Sequence, residues 1–232
     1  MLDVSRRELK YVVSPDEVMK LQQSLALVLR GDSHNGRNGY MVRSLYFDSL
    51  SDSDFRDKVD GYDKRQKIRL RIYDIHSGKA KLELKQKEGN AQRKRSLLLG
   101  RQEAEQLIRG NYTFLMERDE KMAHQLYTQM TMECYRPKCI VEYDRMAYCA
   151  ETNDIRITFD MNLRATESSF NIFEENLMLY PVSDASQITL EVKYNGFLFS
   201  YIKNILNHAD RMQQSNSKYC RARSISKGLG GA

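Results

Sequence analysis

The sequence predicts an α+β fold built on antiparallel strands, each with one charged and one apolar face, and three observations predict it. First, residues 64–95, KRQKIRLRIYDIHSGKAKLELKQKEGNAQRKR, hold twelve Lys or Arg against three acids, a local net charge of +9 in a chain whose total is +6. The remainder is mildly acidic, so the basicity is local. Second, that charge alternates with apolar residues at a period of two. Lys67, Arg69 and Arg71 fall on one strand face and Ile68, Leu70 and Ile72 on the other; after a turn at Ser77-Gly78, Lys81, Glu83, Lys85 and Lys87 oppose Leu82, Leu84 and Gln86. Third, the pattern returns with Arg156 in DIRITFD and with Glu191 and Lys193 in TLEVKY, so charged faces recur on at least five strands.

The totals bound the organisation. The 232 residues contain three prolines and twelve glycines, with no Ser/Gly/Pro-rich linker, which predicts a single domain over 1–224 and a flexible glycine-rich tail over 225–232. The longest apolar stretches, SLALVLR and FLFSYIKNIL, fall well short of the ~20 residues that cross a bilayer. MLDVSRRELKYVV lacks the apolar core of a signal peptide, so the expected location is cytoplasmic. Cys134, Cys139, Cys149 and Cys220 have no CxxC spacing and read as buried thiols rather than zinc ligands. His34, His76, His124 and His208 fall in loops or helices and none reads as catalytic.

In chain order, RRELKYVV (6–13) is a strand with Arg6, Glu8, Lys10 and Val12 on one face. Ser14-Pro15-Asp16-Glu17 has the form of a capping box with proline at the first helical position, and it opens an amphipathic helix expected to run to about Arg30, where Gly31 stops it. GDSHNGRNG is a loop. GYMVRSLYFDS is a strand ending at Asp48, and SDSDFRDKVDG a short surface helix closed by Gly61. The two cationic strands follow, then a third, QRKRSLLL. Helical spacing returns over Glu103–Arg109 and Asp119–Glu133, two helices expected to pack on the outside of the sheet. KCIVEYDRMAYC, DIRITFD and ITLEVKY are strands, and residues 196–208 form an amphipathic helix.

Two architectures fit these elements. In one, an antiparallel sheet turns its charged face to water. In the other, the sheet closes into a barrel with the charged side chains in its lumen and the apolar faces outside under helices. A lumen crowded with like charges needs a polyanion to fill it, and phosphates suit Arg forks and Lys point charges. Glu8, Glu83 and Glu191 would repel a phosphate unless a divalent cation such as Mg²⁺ or Mn²⁺ lay between.

RRELKYVV, SLYFD, KIRLRIY, LELKQK, VEYDRMAY, DIRITFD, LEVKY and SKYC stand in the order found in a known family. Across nearly its whole length the chain resembles the VTC-type polyphosphate polymerase domain, a CYTH-like branch of the triphosphate tunnel metalloenzymes. The resemblance implies a closed antiparallel β-barrel, a triphosphate tunnel with helices packed outside, which binds ATP or another triphosphate and inorganic polyphosphate with Mn²⁺ or Mg²⁺. It further implies transfer of the terminal phosphoryl of ATP onto the growing polymer. By position, Lys10, Arg69, Arg71, Lys85, Arg145, Arg156 and Lys218 resemble the phosphate-cradling cations, Glu191 the metal-binding carboxylate, and Lys94 another tunnel lysine. Two departures stand out: RxExK (Arg6, Glu8, Lys10) replaces the ExExK of the related triphosphatases, and Ser215 stands where the eukaryotic polymerases carry a second lysine.

The residues carry these expectations unequally. Arg69 and Arg71, two arginines on one face beside a second cationic strand, have little structural use, and Lys85 follows them. Lys87 and Lys193 extend the substrate-binding rows. Glu83 and Glu8 are open between metal ligand and spacer among like charges, whereas Glu191 reads as ligand. Arg145 shares its face with Val141 and Tyr143, and on the residues alone it reads as a rim position. Tyr46, Tyr73, Tyr143 and Tyr148 read as packing residues. The chemistry needs no side-chain nucleophile, since phosphoryl transfer rests on alignment and charge dispersal. The rival readings are a metal-dependent triphosphatase and a non-catalytic binder of polyphosphate or nucleic acid; the second lacks the interleaved aromatics that stack bases, so no nucleic-acid partner is expected.

Overall fold

A computed structural model of the chain describes residues 6–89, 91–207 and 217–228. The Arg6 side chain, His208, Ser215 and the end of the tail from 229 to 232 lie outside the described residues. In chain order the elements are β1 (Arg6–Val13), α1 (Pro15–Ala26), β2 (Arg30–Gly31), β3 (Tyr40–Asp48), α2 (Ser53–Val59), β4 (Arg65–Ile72), β5 (Lys79–Glu88), β6 (Ala91–Gly100), α3 (Arg101–Ile108), α4 (Lys121–Met132), β7 (Arg136–Ala150), β8 (Ile155–Thr166), β9 (Tyr180–Pro181), β10 (Ile188–Asn195), α5 (Ser200–Leu206) and α6 (Lys218–Ser226). The last of these carries helix into the stretch expected to be tail.

The strands form one ten-stranded antiparallel sheet in the order β1-β10-β8-β7-β3-β4-β5-β6, with β2 beside β7 and β9 beside β8. The end strands β1 and β6 do not pair with one another among the described residues, so the expected closed barrel is corrected to an open sheet. The outer end of β6 shows why an edge can persist: Gln92, Arg93 and Lys94 are exposed, and charged edge residues resist further strand pairing.

The chain divides into two compact units. The first comprises Met1–Met41, Tyr143–Leu163 and Ser183–Ser217, the second Val42–Glu142, Arg164–Val182 and Lys218–Ala232. In the first, period-two alternation turns Ile155, Ile157 and Phe159 of β8 and Leu190 and Val192 of β10 into one core, against which α1 sets Val18, Leu21 and Leu25. Each such buried aliphatic side chain contributes about 1.5–3 kcal/mol. The capping box is formed: the Ser14 amide donates to Glu17 Oε2 at 2.7 Å and the Glu17 amide to Ser14 Oγ at 3.3 Å. The helix stops at Ala26 rather than near Arg30, because Arg30 and Gly31 pair with Cys149 and Tyr148 of β7.

The loop that follows is tied to β7 by more than this pairing. The Asp32 amide donates to the Ala147 carbonyl at 2.9 Å, and the Asn35 side chain both donates to that carbonyl (2.8 Å) and accepts from the Ala147 amide (3.1 Å). Gly39, at φ +86°, lies so close to β7 that a Cβ there would stand 2.4 Å from the Arg145 carbonyl oxygen.

In the second unit Ile68, Leu70, Leu82 and Leu84 form the apolar side of β4 and β5, packed with Leu107 of α3 and Leu126 and Met130 of α4. This is the expected arrangement of helices on the apolar face. On the same side Arg43 donates to Glu142 (2.6 Å) and to the carbonyls of Ile172 and Glu174 (3.1 and 2.6 Å), fastening the segment after β8. Of the four cysteines, Cys139 is buried and Cys149 and Cys220 partly so; Cys134 is exposed, which corrects the expectation of buried thiols. It follows α4 in a left-handed turn at φ +52°, one residue before the chain returns to the core at Tyr135. No helix among the described residues is long and apolar enough to cross a membrane.

Candidate functional site

The charged faces of the two units differ in chemistry. In the first, β1, β10 and β8 lie side by side in antiparallel register, with Glu8 opposite Lys193 and Lys193 opposite Arg156, and with Lys10 opposite Glu191. Opposite charges thus meet at Glu8–Lys193 and Lys10–Glu191, the arrangement a sheet favours, whereas Lys193 and Arg156 are like charges, each drawn to an acid of its own, Glu191 and Asp32. Glu191, only 5% exposed, is held by Lys193 Nζ at 2.9 Å and Lys10 Nζ at 3.3 Å, both on Oε1. Lys10 also reaches Glu8 at 3.3 Å, and Lys193 approaches the same oxygen at 4.0 Å. Burial disfavours the Lys10 ammonium, but Glu191 and Glu8 outweigh it and raise its pKa above the usual lysine range. For Lys193 burial is the larger effect and the pKa is lowered despite Glu191.

Arg145 is not at a rim. It is buried and forks onto Asp160, Nε to Oδ1 at 2.6 Å and Nη2 to Oδ2 at 2.8 Å, while Nη2 lies 3.8 Å from Glu191. Arg156 has a similar partner: its Nη2 donates to Asp32 Oδ2 at 2.6 Å and to Tyr40 Oη at 3.1 Å, and its Nη1 lies 3.1 Å from Cys149 Sγ. Asp160 and Asp32 are the residues sequence reasoning missed. Asp160 had a signal, since it follows Arg156 by four residues on one strand and shares its face; Asp32 sits in a loop and had none.

The second unit's charged face is cationic. Tyr46, Arg69, Glu83 and Ser96 lie in one row across β3, β4, β5 and β6, Ser44, Arg71 and Lys81 in another, Lys67, Lys85 and Lys94 in a third, and Arg65, Lys87 and Gln92 in a fourth. Glu83, 2% exposed, is the acid among them: Arg69 Nε donates to its Oε2 at 2.6 Å, Arg71 Nη1 lies 3.8 Å from that oxygen, and Lys94 contacts Oε1. Burial opposes its ionisation, yet Arg69 and Arg71 prevail and hold the carboxyl at about 2. Arg69 also donates to Tyr46 Oη (3.1 Å) and Arg71 to Ser44 Oγ (3.1 Å).

Lys218 lies at the first position of α6 rather than on a strand. That helix is fixed by Tyr219, which donates to Asp48 Oδ2 at 2.6 Å and stacks on Tyr46 with ring centroids 5.0 Å apart. Arg223 binds both oxygens of Asp52, at 3.0 and 2.9 Å.

Among the described residues no group of three or more His, Cys, Asp or Glu is placed to hold a metal ion. Glu8 and Glu191, brought together at Lys10, supply a donor set of two carboxylates, which fits an Mg²⁺ or Mn²⁺ ion completing its shell with phosphate oxygens and water and does not fit an all-protein cage. Glu83 fits less well, because it is the one acid in its rows and offers a single carboxylate among cations.

The family model described as the VTC domain matches residues 5–227. No curated protein matches the chain. Two solved structures share the fold: a protein described as a candidate adenylate cyclase from Bacillus halodurans (TM-score 0.51, 12% identity, 92% of this chain and 95% of that one) and another so described from Vibrio parahaemolyticus (TM-score 0.51, 11% identity, 94% and 97%).

Proposed function

Because the chain belongs to the VTC domain family, we propose that it is a metal-dependent phosphotransferase that moves the terminal phosphoryl of ATP onto a polyphosphate chain. The observation that carries the reading is the cationic face of β4, β5 and β6, where rows of Arg and Lys stand in register around one buried carboxylate. A solvated sheet face has no need of that excess; a polyanion does.

In this reading Arg69, Arg71, Lys85, Lys87 and Lys94 bind phosphate oxygens, and Lys218 adds a further cation from α6. Glu83 positions Arg69, Arg71 and Lys94 rather than binding metal. Lys10, Lys193, Arg145 and Arg156 act next to carboxylates and hold this charge-balanced face in place as much as they attract phosphate. Glu191 and Glu8 would hold the divalent ion, which supplies charge neutralisation to phosphate oxygens when bound. Phosphoryl transfer asks the protein chiefly for alignment and dispersed positive charge, and fixed guanidinium forks provide both. ATP as donor, polyphosphate as acceptor and Mn²⁺ or Mg²⁺ as the ion belong to the proposal, as what the family resemblance implies.

Incubation of the purified protein with ATP and Mn²⁺, with products separated on a gel, tests it. The expected result is a ladder of polyphosphate with stoichiometric ADP. ADP and orthophosphate alone would overturn the polymerase reading in favour of a triphosphatase.

A further inference from the structure

The loop before β3 presents a histidine that the proposed chemistry does not use. His34 is 77% exposed, and its Nδ1 lies 2.8 Å from Asp32 Oδ1. A carboxylate only accepts, so the proton sits on Nδ1 and the ring turns Nε2 away from Asp32. The other oxygen of the same carboxylate, Oδ2, takes Arg156 Nη2 at 2.6 Å. His34 and Arg156 are therefore the two arms of one anion. Tyr40 joins them, its hydroxyl 3.1 Å from Arg156 Nη2 and its ring centroid 6.1 Å from that of His34.

This arrangement is built, not incidental to a loose loop. The Asp32 amide and the Asn35 side chain are bonded to Ala147, Arg30 and Gly31 pair with β7, and the His34 amide donates to Asp32 Oδ1 at 3.0 Å. These ties spend backbone and side-chain bonds to hold an exposed imidazole beside a candidate phosphate-binding arginine.

A count of charge gives the consequence. Asp32 cancels Arg156; Cys149 is held in its thiol form by burial, and Tyr40 is held neutral by the same cause. The further neighbours are Lys193, which stands opposite Arg156 and is held by Glu191, Arg145, which bears on Tyr40 and forks onto Asp160, and Asp154, whose charge bears on Cys149. With His34 neutral the Asp32–Arg156 pair carries no net charge. With His34 protonated it carries one positive charge, and Nε2–H becomes a donor directed away from Asp32.

We propose that His34 is a second phosphate contact beside Arg156, one that binds triphosphate oxygens in its protonated form and makes anion affinity at this face rise as pH falls. The inference rests on the phosphate-binding reading of the preceding section. His34 is a binding residue here and takes no part in bond making.

Calorimetric titration of the full chain with inorganic tripolyphosphate, without metal and in the presence of chelator, tests it between pH 5.5 and 8.5 on the parent, His34→Gln and His34→Lys. Tripolyphosphate changes its own charge over this range, so the ratio of parent to variant affinity is the quantity to follow. The parent-to-Gln ratio should rise about tenfold from pH 8.5 to 5.5, the low end for one charge-assisted hydrogen bond because the His34 side chain is exposed. The Lys variant, charged throughout, should match the parent at low pH and exceed it at high pH. A parent-to-Gln ratio flat with pH overturns the role of His34 and leaves the phosphate-binding reading standing. Absence of tripolyphosphate binding by the parent at every pH overturns both.

Discussion

Glu83 shows how a single side chain can be assigned by what surrounds it. Three cations share its two oxygens, so removing the charge leaves Arg69, Arg71 and Lys94 facing one another. Glu83→Gln should destabilise the fold by about 3 kcal/mol, the low end of the cost of breaking a buried ion pair because Lys94 is half exposed. The same variant should bind metal-free tripolyphosphate more tightly, since the face gains a net positive charge. Reduced Mn²⁺ affinity with unchanged tripolyphosphate binding would instead make Glu83 a metal ligand. Asp54 offers a second test, one of pH. It is 2% exposed, accepts from Tyr135 Oη at 3.0 Å, and its carboxyl is pushed up to about 8 by burial and by Asp48. A carboxyl whose pKa is higher folded than unfolded binds its proton more strongly in the native state, so stability declines as pH rises from about 4 to about 8 and levels off above. Asp54→Asn removes that slope. Urea unfolding at pH 5 and pH 8 should show the variant gaining on the parent at the higher pH; equal gaps at both would mean that Asp54 is ionised in the native state at both.

At the scale of elements, what was local in sequence was legible and what depended on distant pairing was not. The capping box at Ser14 and Glu17 and the alternation of Arg69 and Arg71 with Leu70 are each set by residues within a few positions, and both are present in the structure. The end of α1 depends on the pairing of Arg30 and Gly31 with β7, more than a hundred residues away, and no periodicity announces that. Gly31 misled for this reason: it serves a strand, not a helix cap. The site divides in the same way. Glu83 and Glu191 could be placed on charged faces from the period of two, but the pairing of Arg145 with Asp160 needed the neighbour strand, and Asp32 reaches Arg156 from a loop. Closure of the sheet was the furthest from local pattern, since it concerns which edge strands find partners; among the described residues β1 and β6 do not pair with each other.

For the whole molecule, the location of the charge matters more than its total. The formal net charge of +6 is modest, yet the second unit concentrates Arg65, Lys67, Arg69, Arg71, Lys85, Lys87 and Lys94 on one face around Glu83, whereas the first unit pairs Lys10, Lys193, Arg145 and Arg156 with Glu8, Glu191, Asp160 and Asp32. A face of the first kind draws a polyanion by releasing the counterions condensed on it, which makes affinity fall steeply with salt; a balanced face contributes little to that slope. Binding of long-chain polyphosphate, measured without metal across a range of salt, should therefore follow the second unit. Replacing Lys67, Lys85 and Lys87 together by Gln removes three cations of that face, and the slope of log K against log salt should shrink by about 2, at roughly 0.7 per phosphate neutralised as for a single-stranded polyanion. Glu191→Gln should leave the slope near that of the parent. A triple variant with the parent's slope would move the polymer's footprint off β4 and β5 and remove the main support for the cationic face as the place where polyphosphate is held.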